Sequence, residues 1–210
     1  MIDSILRAWE VSDNTFLNAG ATNEAVAVLE KTLRGSLPAD MRACYLRTDG
    51  ADILRGNIAL YPIQGAKFSV RELSQFYRDS KWPVPEELVI FGGDGCGDPF
   101  GIWTPYDLGS KPLIVQVGAI FEPGCMAVVG TSFSRFLLGR SVFYLLSDGA
   151  PDPVLDLLGV PQSMRISDLN NLIYDEVVRW ADPELPALSI HPYTARLTED
   201  DVRQMAARAS

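Results

Sequence analysis

Four short apolar runs, Leu88–Phe91, Phe100–Trp103, Leu113–Val117 and Met126–Val129, follow one another with Gly, Pro and Asp in the turns between them. Parallel neighbours need a crossover of a dozen or more residues, usually a helix, whereas antiparallel ones can be joined by a tight turn. The spacing predicts antiparallel hairpins rather than right-handed βαβ crossovers. An earlier run at 57–62, NIALYP, alternates Ile58 and Leu60 with Ala59 and Tyr61 and reads as one more strand.

Helical spacing surrounds these runs. In residues 22–34, Val26, Leu29 and Leu33 recur on one face, Thr22 or Asn23 can cap the start, and Gly35 ends the segment. The next segment, LPADMRACYLRTDG, places Pro38 near the first helical position, where its missing N–H costs nothing. Leu37, Met41, Cys44, Tyr45 and Thr48 give it a packing face, and Asp49-Gly50 stops it. In SVRELSQFYRD, Ser69 and Glu72 have capping-box spacing, and Val70, Leu73, Phe76 and Tyr77 form the stripe. Pro83 and Pro85 then stiffen the connection. Thr131 or Ser132 can cap a helix containing Phe133, Phe136 and Leu137, with Gly139 interrupting its pattern. The order predicts an α+β domain: a mostly antiparallel sheet with helices covering one face.

At 210 residues the chain is one domain or somewhat more. Gly149, Pro151, Pro153, Gly159 and Pro161 suggest a boundary, although Val154–Leu158 is too apolar for a free linker. Ser167 can cap a helix striped by Leu169, Leu172, Ile173, Val177 and Trp180, and Thr198 with Asp201 imitates a further cap. The expected organisation is an α+β domain at 1–146 and a helical extension at 147–210. Helices this short cannot bury their stripes alone, so the extension should dock on the main layer.

Charge narrows the partners. The net charge is -9, and residues 145–210 alone hold 11 acids against 5 bases. An acidic surface repels a phosphate backbone and attracts a basic protein, besides keeping the chain soluble. Direct nucleic-acid binding is not expected. Arg135 and Arg140 interrupt the most apolar stretch, Phe133–Leu146, so no membrane span is expected. MIDSILRAWE has Asp3 and no positive cluster before an apolar run, unlike a secretory leader. Cys44, Cys96 and Cys125 are an odd, widely spaced set without a CxxC pair. Buried free thiols in a reducing cytoplasm fit them better than disulfides.

The densest motif is FGGDGCGDPFGIW, with Gly92, Gly93, Gly95, Gly97 and Gly101 around Asp94 and Asp98. It lacks the Lys-Ser/Thr of a Walker loop, and a strand rather than a helix should follow it, so it does not read as a phosphate cradle. Its aspartates do not have EF-hand spacing, which needs more oxygens and a terminal Glu. A tight β connection accounts for it: glycines accept positive φ and Asp side chains bond local amides. With one imidazole, His191 in SIHPY, and no G-x-S-x-G elbow, no catalytic set is assigned. Neither a cofactor nor a metal is expected. Asp94 or Asp98 with Glu122 could form a hydrolase pair, though nothing in the pattern separates their pKa values. Trp82, Trp103, Tyr106 and Phe121 cluster in the same inter-strand region and, with Asp94, Asp98 and Glu122, are the candidate partner-binding residues.

Taken in order, NEAVAVLEKTLRGSLPADMRACYLRTDG, ALYPI, LVIFGGDGCGDPFGIW, KPLIVQV and AVVGTSFSRFLL resemble the SUKH superfamily over about residues 22–138. That superfamily groups fungal cell-wall-synthesis regulators with many bacterial proteins. The resemblance implies a non-enzymatic α+β protein-binding domain, and many bacterial members look like immunity proteins that block a partner toxin, often a basic nuclease. Leu37, Pro38, Gly50, Gly92, Asp94, Gly97, Asp98, Pro99, Phe100 and Gly101 match and look mainly fold-defining. The chain departs from the pattern at Thr48-Asp49-Gly50, where Asn-Gly is more usual, and in about seventy residues after the likeness ends. The implied role is a cytoplasmic, immunity-like inhibitor that occludes its target. A regulatory scaffold for an endogenous protein, or a hydrolase or carbohydrate-binding protein, are the other readings.

Overall fold

The computed structural model describes residues 1–32, 37–65, 68–79, 87–103, 112–117, 125–165, 174–185 and 197–198. The chain enters through helix α1 (Ile2–Glu10) and a two-residue strand β1 (Phe16–Leu17). Helices α2 (Asn23–Thr32) and α3 (Ala39–Arg47) precede β2 (Ala51–Ile53) and β3 (Ile58–Leu60). Helix α4 (Val70–Asp79) leads to β4 (Leu88–Gly93), β5 (Pro99–Trp103), β6 (Leu113–Gln116) and β7 (Cys125–Gly130). Then come α5 (Phe133–Ser147), α6 (Asp152–Leu157), a 3-10 turn (Gln162–Met164), α7 (Tyr174–Ala181) and β8 (Leu197–Thr198). The strands lie side by side in chain order, and every pair is antiparallel. The protein is α+β, as the turn spacing predicts.

Both faces of the central strands are covered, not one. Every residue of β4, β5 and β6 is buried, and the two-residue period sends alternate side chains to opposite layers. Val89, Phe91, Phe100, Ile102, Ile114 and Val129 join Phe133, Phe136 and Leu137 of α5 in the larger layer. Leu88, Ile90, Trp103, Leu113, Val115 and Val128 face the smaller one, against Leu73 and Tyr77 of α4 and Val178 of α7. Ser74 fixes α4 there: its hydroxyl donates to Val70 O (2.6 Å) and accepts from Ile90 N (2.9 Å). Phe136 is the wedge on the other side, with its ring centroid 4.8 Å from Phe100 and 6.0 Å from Phe91, both edge-on. Each such buried side chain stabilises the fold by about 1.5–3 kcal/mol relative to exposure.

Local chemistry sets the ends of the helices. Ser132 caps α5 by accepting from Arg135 N (3.3 Å), and Ser69 accepts from Glu72 N (3.2 Å) at the start of α4. Asp49, beyond α3, goes further than stopping the helix: its two carboxylate oxygens accept from Ile63 N (2.6 Å) and Gln64 N (3.1 Å) and tie down the exit of β3.

Three local features go beyond the sequence reading. Gly139, which interrupts the apolar pattern, lies inside α5, and the helix runs on to Ser147. A Cβ at Gly139 would lie 3.4 Å from Ala181 Cβ, so the glycine marks where α7 crosses α5. Thr198 sits in β8, paired with Cys125 of β7, and the helix expected after it, with Asp201, lies outside the described residues. The opening decapeptide is a helix that the strand and turn signals did not reveal; it buries Ile5, Leu6, Ala8 and Trp9. Its Trp9 ring N–H donates to Ser141 Oγ of α5 at 2.9 Å. Val154, Leu155, Val177 and Ala181 from α6 and α7 enter the same core as β4 and β5. Ser167, Leu169, Leu172, Ile173, His191 and the Pro83–Pro85 connector lie outside the described residues.

Candidate functional site

The Gly/Asp motif becomes the loop between β4 and β5, at the rim of the sheet. Asp94 folds the loop around its own carboxylate: Oδ1 accepts from Cys96 N (2.9 Å) and Asp98 N (3.0 Å), while Asp94 N donates to Asp98 O (3.1 Å). Gly95 and Gly97 take φ of +74 and +110, a region that costs other residues strain. A Cβ at Gly95 would also collide with the Gly56 carbonyl oxygen, so the loop rests directly on the β2–β3 turn. This is the tight β connection that the glycine and aspartate pattern predicts. A strand follows it, so no helix N-terminus is present to cradle a phosphate.

Asp94 Oδ2 and Asp98 Oδ2 converge on one donor, Gln116 Nε2, at 3.3 and 3.5 Å. Gln116 is the last residue of β6 and is 1% exposed. Its Oε1 accepts from Arg140 Nη2 at 3.2 Å. Arg140, in α5, is 2% exposed. Its guanidinium carbon lies 5.0 Å from the Phe100 ring centroid, 5.9 Å from Phe136 and 5.3 Å from Tyr174. A buried cation carries a desolvation cost of several kcal/mol. Ring faces at this range return about 0.5–2 kcal/mol each, and the bond to Gln116 adds to them.

Two tyrosines stand on the other side of the loop. A Cβ on Gly93 would lie 2.6 Å from Tyr61 Oη, which places that hydroxyl against the loop. Burial, then Tyr77 and Asp94, raise the Tyr61 phenol above its usual range. Burial and Asp98 do the same to Tyr77. Both phenols therefore stay protonated at neutral pH and can donate hydrogen bonds. Asp94, Asp98, Tyr61 and Tyr77 are all half-buried, and Cys96 at the loop tip is exposed. The result is a rigid acidic rim flanked by two phenols, suited to receiving a cationic or hydrogen-bonding group from another molecule.

Of the sequence candidates, Asp94 and Asp98 are brought together. Trp103 is not at a surface: its exposure is 0%, because its position in β5 turns it into the smaller core layer. Trp82, Tyr106, Phe121 and Glu122 lie outside the described residues. Cys44 is buried but Cys96 is exposed, so the expectation of buried thiols fails at the loop tip. Among the described residues, no three His, Cys, Asp or Glu side chains gather as a metal-holding set. Sequence reasoning missed Tyr61, Tyr77, Gln116 and Arg140 as site residues. The signal for the last two was present: each is a polar residue inside an apolar run.

The family model described as SMI1 / KNR4 family (SUKH-1) matches residues 20–139. The chain belongs to this family. The match agrees closely with the span of the resemblance and runs from just before α2 to the middle of α5. Within this SUKH-1 chain, Asp94, Asp98 and Gln116 fall inside the matched region, and Arg140 is the first residue after it. Helices α1, α6 and α7 lie wholly outside it. No curated protein matches the chain by sequence. No helix among the described residues is long and apolar enough to cross a membrane.

Proposed function

We propose that this SUKH-1 chain is a non-enzymatic, cytoplasmic protein-binding inhibitor of the immunity type. It works by occlusion: the Asp94–Asp98 rim and the two tyrosines beside it cover the active or substrate-binding surface of a basic toxin domain, such as a nuclease. The observation that carries this reading is the loop's preorganisation. Its backbone is already closed by Asp94, so binding need not order it, and rigid surfaces lose less free energy on association. The net charge of -9 supports the same reading, because an acidic inhibitor is steered to a basic target and competes there with a polyanion.

The test pairs the full chain with the toxin-like product of the neighbouring gene. Binding and loss of toxin activity support the proposal. Asp98→Asn, which leaves the Asp94 turn intact, should slow association several-fold at low salt, with the difference shrinking as salt rises. Binding to an endogenous protein, without inhibition of any toxin, would replace the immunity role with a regulatory one.

A further inference from the structure

We infer that α7 sets the shape of the Asp94–Asp98 loop through Tyr174, Arg140 and Gln116. The switch in this relay is the Gln116 amide. A primary amide has one accepting end and one donating end, related by a half-turn about its terminal torsion. Arginine can only donate, and an ionised carboxylate can only accept. Arg140 Nη2 at 3.2 Å therefore assigns the oxygen end, and the nitrogen must point at Asp94 Oδ2 and Asp98 Oδ2. Turned over, the amide would present its oxygen to two carboxylates and its N–H groups to a cation, repelling both.

Arg140 holds that orientation only while it is itself held. One of the three rings around its guanidinium is Tyr174, the first residue of α7, at 5.3 Å. Tyr174 in turn packs edge-on against Phe143 of α5, with centroids 5.0 Å apart. Removing the Tyr174 ring opens the guanidinium to water and weakens its hold on Gln116 Oε1. The amide is then free to turn, and the two aspartates lose their shared donor. Helix α7 lies outside the family match, so the part of this chain beyond the matched region acts on the loop that the match contains. This coupling belongs to the free chain and stands whether or not the loop docks a partner.

Amide hydrogen exchange of the full chain, read by NMR at Cys96 and Asp98, tests the relay. Both amides are bonded to Asp94 Oδ1. Tyr174→Leu should speed their exchange by about fivefold or more, leaving the Ile90 amide unchanged. Gln116→Glu keeps an acceptor for Arg140 but turns both ends toward acceptor chemistry, and should speed the same two amides. Combined with Gln116→Glu, Tyr174→Leu should add little further. Tyr174→Phe keeps the ring and should match the parent chain. Unchanged exchange in a folded Tyr174→Leu chain, or independent addition of the two effects, overturns the inference. Tyr174→Met, which preserves apolar bulk, gives the same reading if the leucine variant does not fold.

Discussion

Asp182 holds Thr131 twice: one carboxylate oxygen accepts from the Thr131 backbone nitrogen and the other from its hydroxyl, each at 2.6 Å. Asp182 follows α7, and Thr131 lies just before α5, so one buried side chain joins the two helices that cross at Gly139. Arg135 of α5 completes the clasp, with Nη1 3.4 Å from Asp182 and 2.8 Å from Glu184. Asp182→Ala would leave the buried Thr131 N–H and hydroxyl without this acceptor. The expected cost is about 2–4 kcal/mol, measured as a lower urea midpoint with an unchanged slope. Glu184→Ala removes an exposed partner of the half-buried Arg135 and should cost less than about 1 kcal/mol.

Gly139 makes the opposite prediction to the usual one for a glycine buried where two helices cross. A methyl group there would meet Ala181 Cβ at 3.4 Å, an ordinary contact, while the helix gains propensity. Gly139→Ala should leave stability unchanged or raise it by up to about 1 kcal/mol. Gly139→Leu should push α7 off α5 and lower stability by about 1–3 kcal/mol. Thermal unfolding of the two variants beside the parent checks both signs.

The Asp94–Asp98 loop is intolerant of side chains at Gly95, where φ is +74 and the Gly56 carbonyl stands in the way. Gly95→Ala should cost about 1–3 kcal/mol. It should also broaden or shift the amide resonances of both the loop and the β2–β3 turn. Gly149→Ala also takes a residue to positive φ, but nothing lies within 4 Å of its Cβ. It should cost only the backbone part of that penalty.

Alkali should weaken the fold at Cys44. Its thiol is pushed from an ordinary 9.0 up to about 12, by burial first and by Asp40 second. Burial likewise pushes Tyr45 well above its ordinary 10.0. Both groups are neutral in the fold and ionise more readily once it opens. Their contribution is complete below pH 9.0 and is lost as pH climbs from there toward about 12. Denaturation midpoints measured against pH should hold until about pH 9 and then fall, and Cys44→Ala should flatten the first part of that fall. At neutral pH an alkylating reagent should label Cys96 and spare Cys44, as read by mass spectrometry of the two peptides.

The strands and helices legible in the sequence are those whose pattern is long enough to repeat. Leu88–Phe91 and Leu113–Val117 stand out as apolar runs, and Ser132 announces α5. Strands β1 and β2 have two and three residues, too few for a two-residue period to show. Ile5 and Trp9 of α1 have helical spacing, but a chain start invites comparison with a leader first. The candidate site was half legible. Asp94 and Asp98 carry their turn chemistry locally, because the bonds that define the loop span only a few residues. Gln116 and Arg140 face one another across 24 residues, and Tyr77 meets the loop only because α4 lies on β4. Those relations depend on how layers stack, which a one-dimensional pattern does not encode. Trp103 misled for the same reason: an aromatic at a strand end looks alike whether its strand is covered on one face or on both.

A sheet whose strands neighbour each other in the order of synthesis can be assembled progressively as the chain leaves the ribosome, each new strand finding its partner already in place. Helix α1 breaks that order. It packs on α3, α5 and α6, and the hydrogen-bond partner of Trp9 is Ser141, 132 residues further along the chain. The closure between α1 and α5 therefore spans far more chain than the pairing of neighbouring strands, and contacts that distant in sequence are the costly ones to form.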